Sequence, residues 1–588
     1  MIGSNPLSGT DLAIMALYLV MVVALSVVFR ATHFEEMFGE EQKPSWLLLS
    51  ASLLMITWSP MTDMMSMGII LESGYSSLWV LKDRFWLAGA PAILFASMWA
   101  GLKVRTDNEL LRLRYSGTSA VVLHIFRAVF LALFVIPFLG TFIILALKKF
   151  LDVLFAGQGL PTNTLLILGT LLIGLKNSFR QKIRTDGLSA IICILAPAII
   201  CFFIFRQYDG FSHLYSTLQS EFPEKISLFP SWEQAAGNSA RANFLVFVFI
   251  QWWSVYIIDH SDPSAQRHLQ ARSRFLAFKA LFLPVLLSSV MFLLISVIWD
   301  CGILEYRNAN PRLIDPEAFY IEVAFKYLPD GFKAIVAIAF LFSFITTLEN
   351  VINWGGGLLT IDIVKRYLFV GGSDRQYRAL SLVMMLLVAV ISLVVAFNND
   401  QLFALQKFIF SISAGVAPVF LLRWFWWRIN AWTQISAMIS SLVYTLVFDY
   451  LSTAHSGFIA LIEALRRHTQ LDFYPLKLIL LTSAVVLTWL TTMYCTEPVT
   501  REQLRRFYHA TGTGGIWPRE FGDNGYGLPK RILLCLVFAA TYILPYLFVW
   551  QIKFGNATVA AAMIFLFAAL AVVVYRLMAH LLGDAAKR

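Results

Sequence analysis

Runs of about 20 apolar residues, broken by short polar stretches, recur from Leu12 almost to the C-terminus, and a helix of that length crosses the roughly 30 Å hydrocarbon layer of a bilayer. About fifteen such spans are predicted, at 11–29, 46–71, 78–102, 119–147, 162–178, 187–206, 241–259, 275–299, 331–364, 378–398, 402–426, 432–452, 475–495, 531–551 and 557–580. Backbone groups in lipid must bond within their own segment, so helices are expected throughout and an open sheet is excluded. Placing the N-terminus outside puts Arg105, Arg112 and Arg114, then Arg180, Lys182 and Arg184, then Arg267, Arg272 and Arg274, then Lys365, Arg366, Arg375 and Arg378 in inner loops. Inner loops then carry about twice the Lys and Arg of outer ones, and an odd number of spans leaves the C-terminus in the cytoplasm.

Composition adds the class. Of 588 residues, 58% are hydrophobic and 14% charged, against about a quarter charged in a soluble domain. The formal charge of +10 would suggest nucleic acid in a soluble chain, but here the basic residues sit between apolar runs and report membrane topology. Cys193, Cys201, Cys301, Cys495 and Cys535 are scattered without a CxxC, so neither a disulfide framework nor a transition-metal site is expected. The N-terminus lacks the basic start and small-residue cleavage site of a signal peptide, so the first span is expected to be retained. The sequence has no GxxxxGK[ST] motif, which argues against a motor in the same chain and for an ion gradient as the energy source. A membrane enzyme would need an acidic motif in a large aqueous loop, and the sequence presents none.

Ionisable and broken positions inside spans carry the candidate chemistry. Asp63 lies in Thr57-Trp58-Ser59-Pro60-Met61-Thr62-Asp63-Met64. Pro60 removes an amide donor in mid-span and frees the carbonyl four residues earlier. Broken helices expose the hard oxygen ligands that sodium prefers; the alternative is a simple kink with Asp63 paired to a neighbouring helix. Further along, Ser343, Thr346 and Thr347 offer hydroxyls, with Glu349 close by. A threonine pair also back-bonds to its own helix, and Glu349 could be ionised beside a cation, bind solute, carry a proton, or pair with Arg127 or Lys82. Gly355, Gly356 and Gly357 are expected to permit close helix approach. Asp186 reads as a capping or interfacial residue. Trp252, Trp253 and Tyr256 either stack on a solute or form an interfacial belt. Asp259, His260 and Asp262 match no helical ligand spacing for a metal.

Several segments resemble the solute:sodium symporter family, which includes proline, sialic acid, galactose and glucose transporters. Phe34-Glu35-Glu36-Met37-Phe38, Pro44-Ser45-Trp46-Leu47, the Asp63 region and Glu72-Ser73-Gly74-Tyr75 are similar to the family's opening. Gln266-Arg267-His268-Leu269, Thr346-Thr347 through Thr360-Ile361-Asp362, and Glu497-Pro498 through Phe507-Tyr508 resemble three later motifs, in the right order. The resemblance implies an all-α, leucine-transporter-type core of two five-helix inverted repeats within residues 46–428. A flanking helix and loop (1–45) would precede it, and further helices with a cytoplasmic loop at 496–530 (429–588) would follow. It implies a monomeric sodium symporter for a small organic solute, such as a sugar, amino acid or organic acid, in the plasma (bacterial inner) membrane, with no cofactor beyond Na+. Position by position, it assigns sodium to the carbonyls of Met61, Met64 and Ser343 and the hydroxyls of Thr346 and Thr347, with Asp63 nearby. Asp186 matches an aspartate that serves a second sodium site in some members, although Arg184 here replaces the tryptophan of that motif. The solute is expected among Met65, Lys82, Asp83, Gln251, Trp253, Tyr256 and Glu349. The competing reading is a proton-coupled carrier or a solute sensor that has lost sodium coupling on the same fold.

Overall fold

The computed structural model describes residues 7–28, 33–38, 43–81, 89–155, 179–230, 237–254, 258–307, 314–521 and 528–586. Among these the chain is helical, with one isolated bridge between Trp426 and Ile516 and no strand. The main helices are α1 (Gly9–Val28), α2 (Trp46–Thr57), α3 (Pro60–Ser73), α4 (Gly89–Trp99), α5 (Gly117–Leu154), α6 (Phe179–Gln207), α7 (Gly237–Phe249) and α8 (Phe282–Tyr306). They continue as α9 (Phe332–Leu368), α10 (Asp374–Phe397), α11 (Leu402–Ala414), α12 (Ala431–Ala454), α13 (Phe473–Cys495), α14 (Leu528–Phe554) and α15 (Ala557–Ala586). Nine helical stretches among the described residues are long and apolar enough to cross a membrane by themselves.

The remaining predicted spans differ for identifiable reasons. The span at 46–71 is two helices, α2 and α3, because Trp58 and Ser59 are extended and Pro60 opens a new first turn. The span at 402–426 stops at Ala414 and resumes as the short helix Ala417–Leu422, with Pro418 in its first turn. The span at 241–259 ends at Phe249, followed by a single 3-10 turn at Gln251–Trp253. The span at 162–178 and residues 82–88 of another lie outside the described residues. Two long helices are locally underwound: α5 carries a π-turn at Leu131–Val135, and α9 widens to π geometry from Leu358 to Leu368. Connections that hydropathy leaves as loops contain short helices, at Phe319–Lys326, Ser456–Thr469 and Arg501–Thr511.

α5, α9 and α10 pack against one another. Gly355 and Gly356 of the glycine triplet are points of close approach between them. A methyl on Gly355 would meet Val388 at 3.0 Å and Ile136 at 3.1 Å, and one on Gly356 would meet the Met385 backbone nitrogen at 3.1 Å. Backbone cannot yield as a side-chain tip can, so Gly356→Ala is expected to destabilise the protein by about 1–3 kcal/mol through overpacking, read as a lowered unfolding temperature in detergent. On the opposite flank α14 lies along α8, with Tyr546 and Phe292 rings 4.9 Å apart. At its far end the Lys553 ammonium reaches Asp300 and, at 2.6 Å, the Ser296 hydroxyl.

Candidate ion and solute site

The break between α2 and α3 follows from covalent chemistry. Pro60 has no N–H to donate to the Ile56 carbonyl, and the extended Trp58 and Ser59 turn the chain before α3 begins. The Thr62 amide then donates to the Ser59 carbonyl at 3.0 Å. Asp63 falls in the first turn of α3 and is buried, and its own carbonyl accepts the Trp299 indole N–H at 3.0 Å. Met61 and Met64 also lie within α3, past the break, so their carbonyls belong to its helical ladder. Beside the break is a cavity of about 50 Å3, lined by Trp58, Thr62 and Asp63 together with Trp299 of α8 and Tyr542 and Tyr546 of α14.

α9 packs against both halves of the broken helix, and one of its faces is polar along several turns. Ser343, Thr346 and Thr347 are buried, at 0%, 4% and 9% exposure. The Thr347 hydroxyl donates to the Ser343 carbonyl at 2.8 Å, which leaves the hydroxyl oxygen's lone pairs to accept or to coordinate. One turn on is Asn350, then Asn353, whose amide reaches the Met37 carbonyl at 3.4 Å, and Trp354, whose N–H donates to Asp107 at 3.0 Å.

Asp186 is about two turns inside the described part of α6 and fully buried, not a capping or interfacial residue. Its partner is the Arg267 guanidinium, 3.3 Å away, supplied by the short helix Pro263–Leu269. The same guanidinium donates to Asn350 of α9 at 2.6 Å and to the Ser52 hydroxyl of α2 at 3.1 Å, and Ser52 in turn donates to Asp186. Four elements thus meet on one buried side chain. Glu349 and Lys182 are buried beside this knot, and the Glu349 carboxylate lies within electrostatic reach of both Lys182 and Arg267. The Arg127 pairing open to Glu349 in the sequence is taken by Asp107, at 2.8 Å.

Of the solute candidates, Met65 is buried in α3. Gln251 is buried and engaged, accepting from the Tyr474 hydroxyl at 2.9 Å and donating to the Val80 carbonyl at 3.5 Å. Trp253 stands against Trp252, centroids 5.6 Å apart, with its indole N–H buried and without a hydrogen-bond partner among the described residues. Lys82, Asp83 and Tyr256 lie outside the described residues. Asp259 is held by Arg423 and Trp424, and among the described residues no group of three potential ligands could hold a metal. Sequence reasoning passed over further charge clusters, among them Lys149 with Asp315 and Glu317, and Lys553 with Asp300. The available signal was a lysine inside an otherwise apolar run.

A bundle of membrane-crossing helices with a discontinuous helix and buried polar groups at the break defines a membrane carrier. The sequence profile of the Sodium:solute symporter family matches residues 45–441, and the chain belongs to that family, one of carriers and not enzymes. The chain is 24% identical over 167 residues to the high-affinity proline transporter PutP of Bacillus subtilis (strain 168), a stretch covering 27% of this chain and 35% of that one. It is 22% identical over 130 residues to the sodium/glucose cotransporter of Vibrio parahaemolyticus, covering 21% and 24%. These matches thus span about a third and a quarter of the two relatives' lengths. Among solved structures, a Na+-coupled sialic acid symporter in a substrate-bound outward-open state superposes with a TM-score of 0.63. That alignment is 17% identical and covers 84% of this chain and 99% of the other, a likeness of fold.

Proposed function

We propose that the chain is a sodium-coupled symporter that imports a small organic solute by alternating access. The observation that carries this is the buried hydroxyl face of α9, Ser343, Thr346 and Thr347, packed beside the broken α2–α3 helix in a chain of this family. Sodium bridging the two elements would use the Ser343 carbonyl, the two threonine hydroxyls and carbonyls near the break at Met61 and Met64, with Asp63 as the nearby charge. The core would be two inverted five-helix repeats, N-terminus outside and C-terminus in the cytoplasm of the plasma membrane, working as a monomer. Trp253, with its indole N–H to offer, supports a solute site where the chain unwinds after α7, beside Gln251.

Coupling follows from linkage. If sodium orders the break, it raises solute affinity, and solute raises sodium affinity by the same factor. The membrane potential then adds about 2.3 kcal/mol per charge per 100 mV. Arg267 already pairs with Asp186 and is itself anchored on Asn350, which supports a single sodium per cycle instead of a second ion there. Glu349 has Lys182 and Arg267 as counter-cations, so it needs no transported proton to be neutralised, which favours sodium over the proton-coupled reading.

The test is thermal unfolding of the purified protein in sodium chloride against choline chloride, with and without Thr347→Ala. Sodium at a hundred times its dissociation constant is expected to stabilise the wild type by about 2.7 kcal/mol, and the variant should lose that gain while unfolding normally in choline. No sodium effect at any pH would sink the proposal.

A further inference from the structure

We propose that Glu317 is the positioning residue that latches the outer side of the transport pathway, a role that rests on the alternating-access reading above. Glu317 precedes the short helix Phe319–Lys326 and is 7% exposed. One carboxylate oxygen accepts the Lys149 ammonium of α5 at 2.7 Å and the Leu402 amide at 3.0 Å, and the other accepts the Phe403 amide at 3.0 Å. Those two amides are the first turn of α11, whose N-cap residue Gln401 makes no side-chain capping bond of its own. A helix start needs acceptors for its free N–H groups and favours negative charge there. Here both are supplied from a different part of the chain.

The same side chain also closes over α3. A methyl on Gly68 would meet the Glu317 side chain at 3.2 Å, so the glycine is what lets the segment lie down on the broken helix. Asp315 prepares the arrangement. One of its oxygens accepts the Glu317 and Ala318 amides at 2.9 and 3.3 Å, and the other takes Lys149 at 2.6 Å. The short helix is seated by rings, Tyr320 on Phe340 of α9 and Phe325 on Phe150 of α5, both at 6.2 Å. At its far end Lys326 and Tyr327 are tied to Glu305 of α8. The segment is therefore fixed to α8 at one end and held across α3, α5 and α11 at the other by one carboxylate.

The position along the bundle makes this contact a gate. Lys149 lies about 38 Å further along α5 than His124, which pairs with Asp362 at the opposite end of the bundle. The Ser52 and Gly68 contacts likewise fall on opposite halves of the broken helix, with the candidate sodium ligands between. Unlike apolar packing, the bonds of Glu317 can be exchanged for water when the segment lifts, because Asp315 beside it is already 43% exposed. Lifting it would uncap α11 and uncover α3 in one step.

The experiment places a single reporter thiol, Met65→Cys, one turn of α3 before Gly68, in a background in which all five native cysteines are replaced by serine. Its reaction with a membrane-impermeant thiosulfonate is followed on intact cells in choline medium. Glu317→Gln and, separately, Lys149→Gln are each expected to speed labelling roughly five- to tenfold, as a two-state closure would respond to loss of charge-assisted hydrogen bonds. Glu317→Gln keeps the shape of the side chain, and Lys149→Gln leaves the α11 cap in place, so the pair separates latch opening from misfolding. Unchanged labelling in both variants overturns the proposal, and so does acceleration seen only from the inner face in inverted vesicles. The readout needs no sodium, so it can fail or succeed independently of the sodium test.

Discussion

Arg267→Ala is expected to lower the stability of the protein by about 3–5 kcal/mol, the usual consequence of stranding a buried charge by removing its partner. The guanidinium is fully buried and serves Asp186, Asn350 and Ser52 on three different helices. Without it the Asp186 carboxylate keeps the Ser52 hydroxyl as its hydrogen-bond partner among the described residues. Arg267→Lys should rescue little, because a single ammonium cannot present the planar fork that reaches all three. The decisive measurement is a double-mutant cycle with Asp186→Leu, scored by unfolding temperature in detergent. The combined variant should be much less damaged than the sum of the singles, with a coupling of roughly 0.5–3 kcal/mol. Additive losses would mean that the two side chains act separately. Because the knot ties the α2 half of the broken helix to α6 and α9, the same variants should also speed the labelling of a cysteine introduced on that half, such as Ser50→Cys.

Asp259→Ala should be comparably severe, about 3–5 kcal/mol, and for a purely structural reason. One Asp259 oxygen receives the Arg423 guanidinium at 3.0 and 2.5 Å and the Trp424 indole at 2.7 Å, and the other receives the Ser261 hydroxyl at 2.7 Å. Arg423 is fully buried, and its carbonyl is held by Arg114 at 2.7 Å. Arg114 lies against Phe507 of the helix Arg501–Thr511. Removing one carboxylate would loosen three connecting segments together. Asp259→Asn, which keeps an acceptor, should cost less. Neither variant should change the size of the sodium-induced stabilisation. A change there would tie Asp259 to the ion and not to the scaffold.

Hydropathy located the membrane helices because lipid enforces one simple rule, a long run without charge. It failed where that run is not one helix. Nothing in apolar content separates 46–57 from 60–73; only Pro60 does, and it was readable. At 402–426 the break at Gly415 and Val416 carries no polar signal. The glycine triplet was legible for the opposite reason, since three residues without side chains have little use other than close approach. Partners were the hard part. Asp186 and Arg267 are 81 residues apart and Lys149 and Glu317 are 168 apart, and local spacing says nothing about pairs brought together by tertiary folding. Asp186 therefore looked interfacial from its sequence neighbours, although the chain buries it completely.

The glycine triplet also decides where mechanical compliance can reside. With Gly355 and Gly356 seated directly on Val388, Ile136 and Met385, α5, α9 and α10 have no side-chain cushion in which to slide. Such an interface strains steeply under small displacements and behaves as one stiff member. Elastic deformation would then fall on the irregular segments, the extended pair Trp58–Ser59, the 3-10 turn at Gln251–Trp253 and the π segments of α5 and α9. A ligand bound at the α9 face would then act on those segments, with the close-packed contact at Gly355 and Gly356 held fixed.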